Sequence, residues 1–175
     1  NSDYFKSDTA RFARVKGPIE LITGAVRMAG SYQTPNLGIG AVVQQAFYMG
    51  QGLLNPPTVE GWHEGEEWID SGALVERVNF VASELGDVDK PGIRAIIDRL
   101  AKDNGGRLSP SELVDRCLDL IGPVAVSNTT RSALTDHVSS RGDVDLTSHE
   151  RGDEPERRIG ELLSLIASTR EFQLA

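Results

Sequence analysis

Apolar residues in this chain recur at intervals of three and four, and no stretch alternates cleanly in twos with β-branched residues. That periodicity restricts the chain to helices packed on helices. Ile93, Ile96, Ile97, Leu100 and Ala101 fall at i, i+3, i+4, i+7 and i+8, after Pro91 and before Gly105-Gly106. Proline is accepted in a first turn and glycine ends a helix, so a helix is expected there. Ser109-Pro110-Ser111-Glu112 reads as an N-cap, a first-turn proline and a capping-box glutamate. Leu113, Cys117, Leu120 and Ile121 line the face that follows, and Gly122-Pro123 stops it. Further helices are expected from Pro18 to Gly30 (Ile19, Ile22, Val26, Ala29) and from an Asn36 cap towards Met49 (Ile39, Val43, Phe47). Others should run from Asp70 or Ser71 to Gly86 (Leu74, Val78, Val81, Leu85), from a Ser127 cap to about Ser140, and over 155–167. The last is followed by one closing turn. The fold class is therefore all-α, an irregular bundle of seven or eight helices.

Three segments interrupt the rhythm: 50–69, 86–92 and 141–156. The first is one long Pro/Trp-rich loop, and loops of that length inside a domain are functional or specifically packed. Pro56 and Pro57 fix their own backbone and extend the residue before each. Gly61 permits a turn that a side chain would obstruct. Trp62 and Trp68 bring large apolar areas with one donor each to satisfy. Such a loop is expected to be pinned onto helices, with presentation of an aromatic platform as the other option.

Composition closes several classes. The chain has 175 residues and a net charge of −8, which argues against a nucleic-acid binder, whose footprint is basic. Its longest apolar runs, such as Val124 to Val126, fall far short of the roughly 20 residues of a membrane span. Cys117 is the single cysteine, so an internal disulfide and a four-thiolate zinc site are both excluded. No cofactor is expected.

Candidate chemistry concentrates in 60–76, where Glu60, Glu64, Glu66, Glu67, Asp70 and Glu76 occur without a lysine or arginine. Five basic residues, Arg14 and Lys16 among them, stand in 1–27, and the two segments are expected to pair or to solvate a surface. The alternative is a hydrolase fragment or divalent-cation site using Glu64, Glu67 and Asp70, with Arg77 as a clamp; paired carboxylates can act as acid and base. A zinc helix of the H-E-x-x-H type is missing its second histidine, because Glu67 stands there. Asp143, Asp145 and Glu154 take positions 1, 3 and 12 of a calcium-loop pattern, but Ser148 replaces the glycine that makes the turn. Gly38-Ile39-Gly40 is half a dinucleotide fingerprint with Val43 in the third glycine's place. Cys117 lies on an apolar stripe and is expected to be inert.

The run Leu53-Leu54-Asn55-Pro56-Pro57-Thr58-Val59-Glu60-Gly61-Trp62, then Gly65, Trp68-Ile69 and Leu74-Val75-Glu76-Arg77-Val78-Asn79-Phe80, resembles the C-terminal signature of the domain-of-unknown-function 1800 family. That signature is P-P-x-V-x-G-W, a glycine-bearing turn, W-I, then L-x-x-R-x-N-F. Lys16-Gly17-Pro18-Ile19-Glu20, with Gly24 and Arg27, is similar to the family's K-S-P-x-E segment, and Ser168 to Gln173 to its tail. His63-Glu64 and Glu66-Glu67 depart from the weakly charged residues usual between the family's tryptophans, so the acids are not a family feature. Gly17 replaces the usual serine. The resemblance implies the C-terminal portion of a longer, bacterial, exported protein, extracytoplasmic in location, with 1–86 as the signature region and 87–175 as accessory helices.

Residues 1–175 are accordingly expected to form a single helical domain, a non-catalytic binding or assembly unit. Asn55, Pro56, Pro57, Gly61, Trp62, Trp68, Arg77 and Asn79 would form its structural or binding loop. Apolar surface around Trp62, Trp68, Phe5 and Phe12 would meet the remainder of the full-length chain or a protein partner.

Overall fold

The computed structural model describes residues 13–122, 124–147 and 153–174, with residues 3, 7 and 10. Phe5 and Phe12, and Ser148 with the rest of 148–152, lie outside the described residues. Seven α-helices occur among the described residues: α1 Pro18–Ala29, α2 Ile39–Tyr48, α3 Ser71–Gly86, α4 Pro91–Lys102, α5 Pro110–Ile121, α6 Asn128–Ser139 and α7 Glu154–Ala167. The fold is all-α, as the periodicity requires. One addition is a two-residue antiparallel ladder, β1 Arg107–Leu108 with β2 Val144–Asp145. A ladder so short has no alternation to read, and it is held by Leu108 and Val144, both buried.

The caps of α3, α5 and α6 are where the sequence places them. Ser109 Oγ accepts from Glu112 N while Glu112 Oε2 accepts from Ser109 N at 2.9 Å, a closed capping box. Ser127 Oγ accepts from Thr130 N at 3.1 Å, and Asp70 Oδ1 from Ala73 N at 2.8 Å. Helix α7 opens a little earlier than its apolar stripe suggests, because Asp153 caps it by accepting from Glu156 N. Asn36 does not cap α2: the helix starts at Ile39, two residues later than expected, because Asn36 Oδ1 closes a turn on Gly38 N at 2.9 Å instead.

The main core joins α3, α4, α5 and α7: Val81, Leu85, Ile93, Ile97, Leu113, Cys117, Ile159 and Leu163 are all fully buried. Helix α1 lies between this core, which receives Leu21 and Ala25, and a smaller cluster of Ile22, Ala46 and Met49. Two glycines allow close helix approach. A Cβ at Gly160 would sit 2.6 Å from the Gly86 carbonyl oxygen, so α7 needs glycine where α3 ends. At Gly92 it would sit 1.9 Å from the Met28 oxygen, at the crossing of α4 and α1.

Polar groups inside this core are tied down. The wholly buried Glu156 receives Arg94 through both terminal nitrogens, Nη2 at 2.6 Å, which joins α4 to α7. The segment before α1 closes on the end of the chain: Val15 bridges Leu174, and Lys16 N donates to Gln173 O at 2.9 Å. No helix among the described residues is long and apolar enough to cross a membrane.

Candidate functional site

The Pro/Trp-rich loop grows out of the C-terminus of α2. Gly50 N donates to Phe47 O and Gln51 N to Ala46 O, carrying the helical turn into the loop. Gln51 Oε1 then accepts from Ile19 N at 2.9 Å, satisfying one of the free donors at the start of α1. Trp62 Nε1 donates to Gly52 O at 3.0 Å, so the indole clips the loop on itself. Trp68 is buried beside Gly50. Gly61 has φ 110° at the Thr58–Gly61 bridge, a conformation that suits glycine. Asn55, Pro56 and Pro57 stand exposed on the outer arc, and Asn79 is exposed on α3.

Arg14, Glu20, Gln51, Trp62, Glu64 and Trp68 wall an open depression of about 860 Å³. Glu67 and Asp70 line a different depression, of about 390 Å³, with Tyr48 and Glu76. His63 and Trp68 line both, whereas Glu64 falls in the first and Glu67 and Asp70 in the second. Each acid also has local work. Asp70 caps α3, and Glu67 meets His63 Nδ1 at 2.8 Å with both side chains more than half exposed. The charge of Glu64 acts on Arg14, whose main partner is Glu20 at 2.8 Å. Among the described residues no group of three or more His, Cys, Asp or Glu side chains is arranged to hold a metal ion.

Arg77 lines neither depression. Its side chain is fully buried, donating from Nε to Gln173 Oε1 at 3.1 Å and from Nη2 to Lys16 O at 2.8 Å. Nη1 has no hydrogen-bond partner. Burial holds the guanidinium down to about 10, a fall that the charge of Glu20 partly offsets. The fork joins α3 to the segment before α1 and to the closing turn.

Asp145 and Glu154 are engaged locally through their carboxylates, and Asp143 through its backbone carbonyl. Asp145 Oδ1 accepts from Thr147 N and Oγ1, and its Oδ2 meets Arg107. These bonds, the Thr147 hydroxyl foremost, hold its carboxyl down to about 2. Glu154 pairs with Arg157 at 2.9 Å, and the Asp143 carbonyl accepts from Arg158.

Helix α2 carries the largest departure from the sequence expectation. Ile39, Val43 and Phe47 form the stripe expected to pack inward, yet they are 51%, 41% and 55% exposed. The helix attaches instead through Ala46 and the following Met49, with Val42 half-buried beside them. Leu54 and Val59, on the adjoining loop, are fully exposed. Leu54 also holds φ 58°, a left-handed conformation uncommon for leucine. All of this lies in thirty-two consecutive residues, 28–59, without one Asp, Glu, Lys or Arg, in a chain that is 25% charged. A count of charges along the chain, rather than of apolar spacing, is the signal that finds this surface.

The model of a family described as "Protein of unknown function (DUF1800)" matches residues 1–174, and the chain belongs to that family. No curated protein matches it, and neither does any solved structure.

Proposed function

We propose that this member of the family is a non-catalytic binding or assembly unit whose working surface is the uncharged face of α2 and the loop that follows. One observation carries the proposal. Helix α2 is apolar on two sides, and only the side holding Ala46 is covered. A helix that is apolar all round is normally buried, because each exposed apolar side chain forgoes about 1.5–3 kcal/mol of burial. Exposed apolar surface that is contiguous rather than scattered marks a place where another molecule sits. Proximity supports that continuity: a Cβ on Gly52 would lie 3.2 Å from the Phe47 ring, so the loop holding Leu53 and Leu54 folds against the helix. Glu64 lies in a different depression from Glu67 and Asp70, and those two are engaged by His63 and by the start of α3, an arrangement suited to shaping the loop. What covers α2 is a polypeptide surface, on the remainder of a longer chain or on a separate protein. The family resemblance supports an extracytoplasmic, bacterial setting for this unit.

Retention on a phenyl-substituted column tests this directly. The native chain is expected to be retained at moderate salt, and Ile39→Glu/Phe47→Glu to pass through with an unchanged far-ultraviolet circular dichroism spectrum. Equal elution of the two proteins would overturn the proposal.

A further inference from the structure

We infer that the partner seated on α2 is a second copy of this chain, docked helix to helix about a two-fold axis at Val43; this rests on the binding role proposed above. Charge favours this occupant. Each copy of the chain carries −8, so two copies repel one another on average, and least where neither presents a charge. At contact distance that repulsion acts inside the screening length of about 8 Å. The run 28–59 has no charge of either sign, so its own side chains add no like-charge pair to a contact between copies. The same neutrality removes electrostatic attraction for an anionic lipid surface or a charged peptide.

The stripe is self-complementary. Ile39, Val43 and Phe47 are spaced four apart. Antiparallel docking therefore sets Val43 against its own copy and each Ile39 against the other Phe47, the isologous pattern of a two-fold dimer. A side chain at Gly40 would meet nothing of its own molecule within 4 Å, so glycine there leaves room for a second helix at the usual 8–10 Å between axes. The exposed apolar surface extends past the stripe: Leu37, Leu53, Leu54 and Val59, on the segments flanking α2, are exposed as well.

A cysteine at the axis tests this geometry. The native thiol of Cys117 is fully buried, so an introduced thiol is the single reactive one. Two-fold docking brings the Val43 Cα atoms within the roughly 4.4–6.8 Å that a disulfide spans. Val43→Cys is expected to oxidise to a covalent dimer in near-quantitative yield. Ser140→Cys, exposed at the end of α6, is expected to stay monomeric, and adding Phe47→Glu to Val43→Cys is expected to abolish the dimer. Failure of Val43→Cys to cross-link, or equal cross-linking of the two cysteines, would overturn the second-copy assignment. In that event, phenyl-column retention of the native chain would leave the binding role standing with another polypeptide on the face. Loss of retention as well would remove both.

Discussion

Arg77 shows how one buried side chain can fix the relation between distant parts of a chain. Its planar fork reaches two acceptors, Lys16 O and Gln173 Oε1, on segments far apart in sequence. Lysine carries the same charge as a compact, strongly hydrated point and cannot serve both acceptors in that geometry. Arg77→Lys is therefore expected to cost about 1–3 kcal/mol in a denaturant titration, the range for orphaning a buried acceptor. A loss below about 0.5 kcal/mol, the range of an inert surface substitution, would contradict this role. The sequence singles out Arg77 through its place in a recurring motif. Its partners are invisible there, because they lie at separations of 61 and 96 residues. Asp145 supplies a pH test. Its carboxyl is held at about 2 against an ordinary 3.8, chiefly by the Thr147 hydroxyl. A carboxyl lowered on folding stabilises the fold above its unfolded value and loses that contribution as pH falls through its folded value. That contribution is thus intact above 3.8 and lost on descending to about 2. In Thr147→Ala the Asp145 carboxyl, followed by NMR, is expected to titrate higher; an unmoved midpoint would assign its shift to Arg107 and the backbone instead.

Within the elements, legibility follows how much of a helix's fate is local. Caps at Ser109 and Ser127 and the stripe of α4 depend on neighbours within a turn or two, and the structure reproduces them. The face that α2 buries depends on where α1 and α3 run, and periodicity cannot say which of two apolar faces is covered. The contrast is measurable. Met49→Ala removes a fully buried side chain from the smaller cluster and is expected to cost about 2–5 kcal/mol. Val43→Glu, on the exposed face, is expected to change monomer stability by less than about 0.5 kcal/mol. Equal losses would mean that Val43 is packed within its own molecule. Helix α7 offers a second test: Gly160→Ala would drive a methyl group into the Gly86 carbonyl. Overpacking of this kind is expected to cost roughly 1–3 kcal/mol, read as a lowered unfolding midpoint.

Over the whole molecule, a main core, a smaller cluster beneath α2 and the tie between Val15 and Leu174 account for a folded unit. Buried ion pairing adds a constraint: Glu156 has no exposed surface and is matched by Arg94. Glu156 falls among the charges that open α7 and reads in sequence as a first-turn acid, because burial of a carboxylate depends on an arginine sixty-two residues away. The candidate surface is legible in the same sequence by another route, the absence of charge over 28–59. The acids of 60–76 attract notice by composition, while the structure sets Glu64 in one depression and Glu67 and Asp70 in another. The proposed association at α2 rests on a run of thirty-two uncharged residues in a chain with eight surplus negative charges. Sedimentation equilibrium across a hundredfold range of concentration tests that claim most directly. The native chain is expected to rise from the monomer mass towards twice that value, and Val43→Glu/Phe47→Glu to remain at the monomer mass throughout. A native chain that stays monomeric at every concentration, or a double variant that associates as the native chain does, would contradict it.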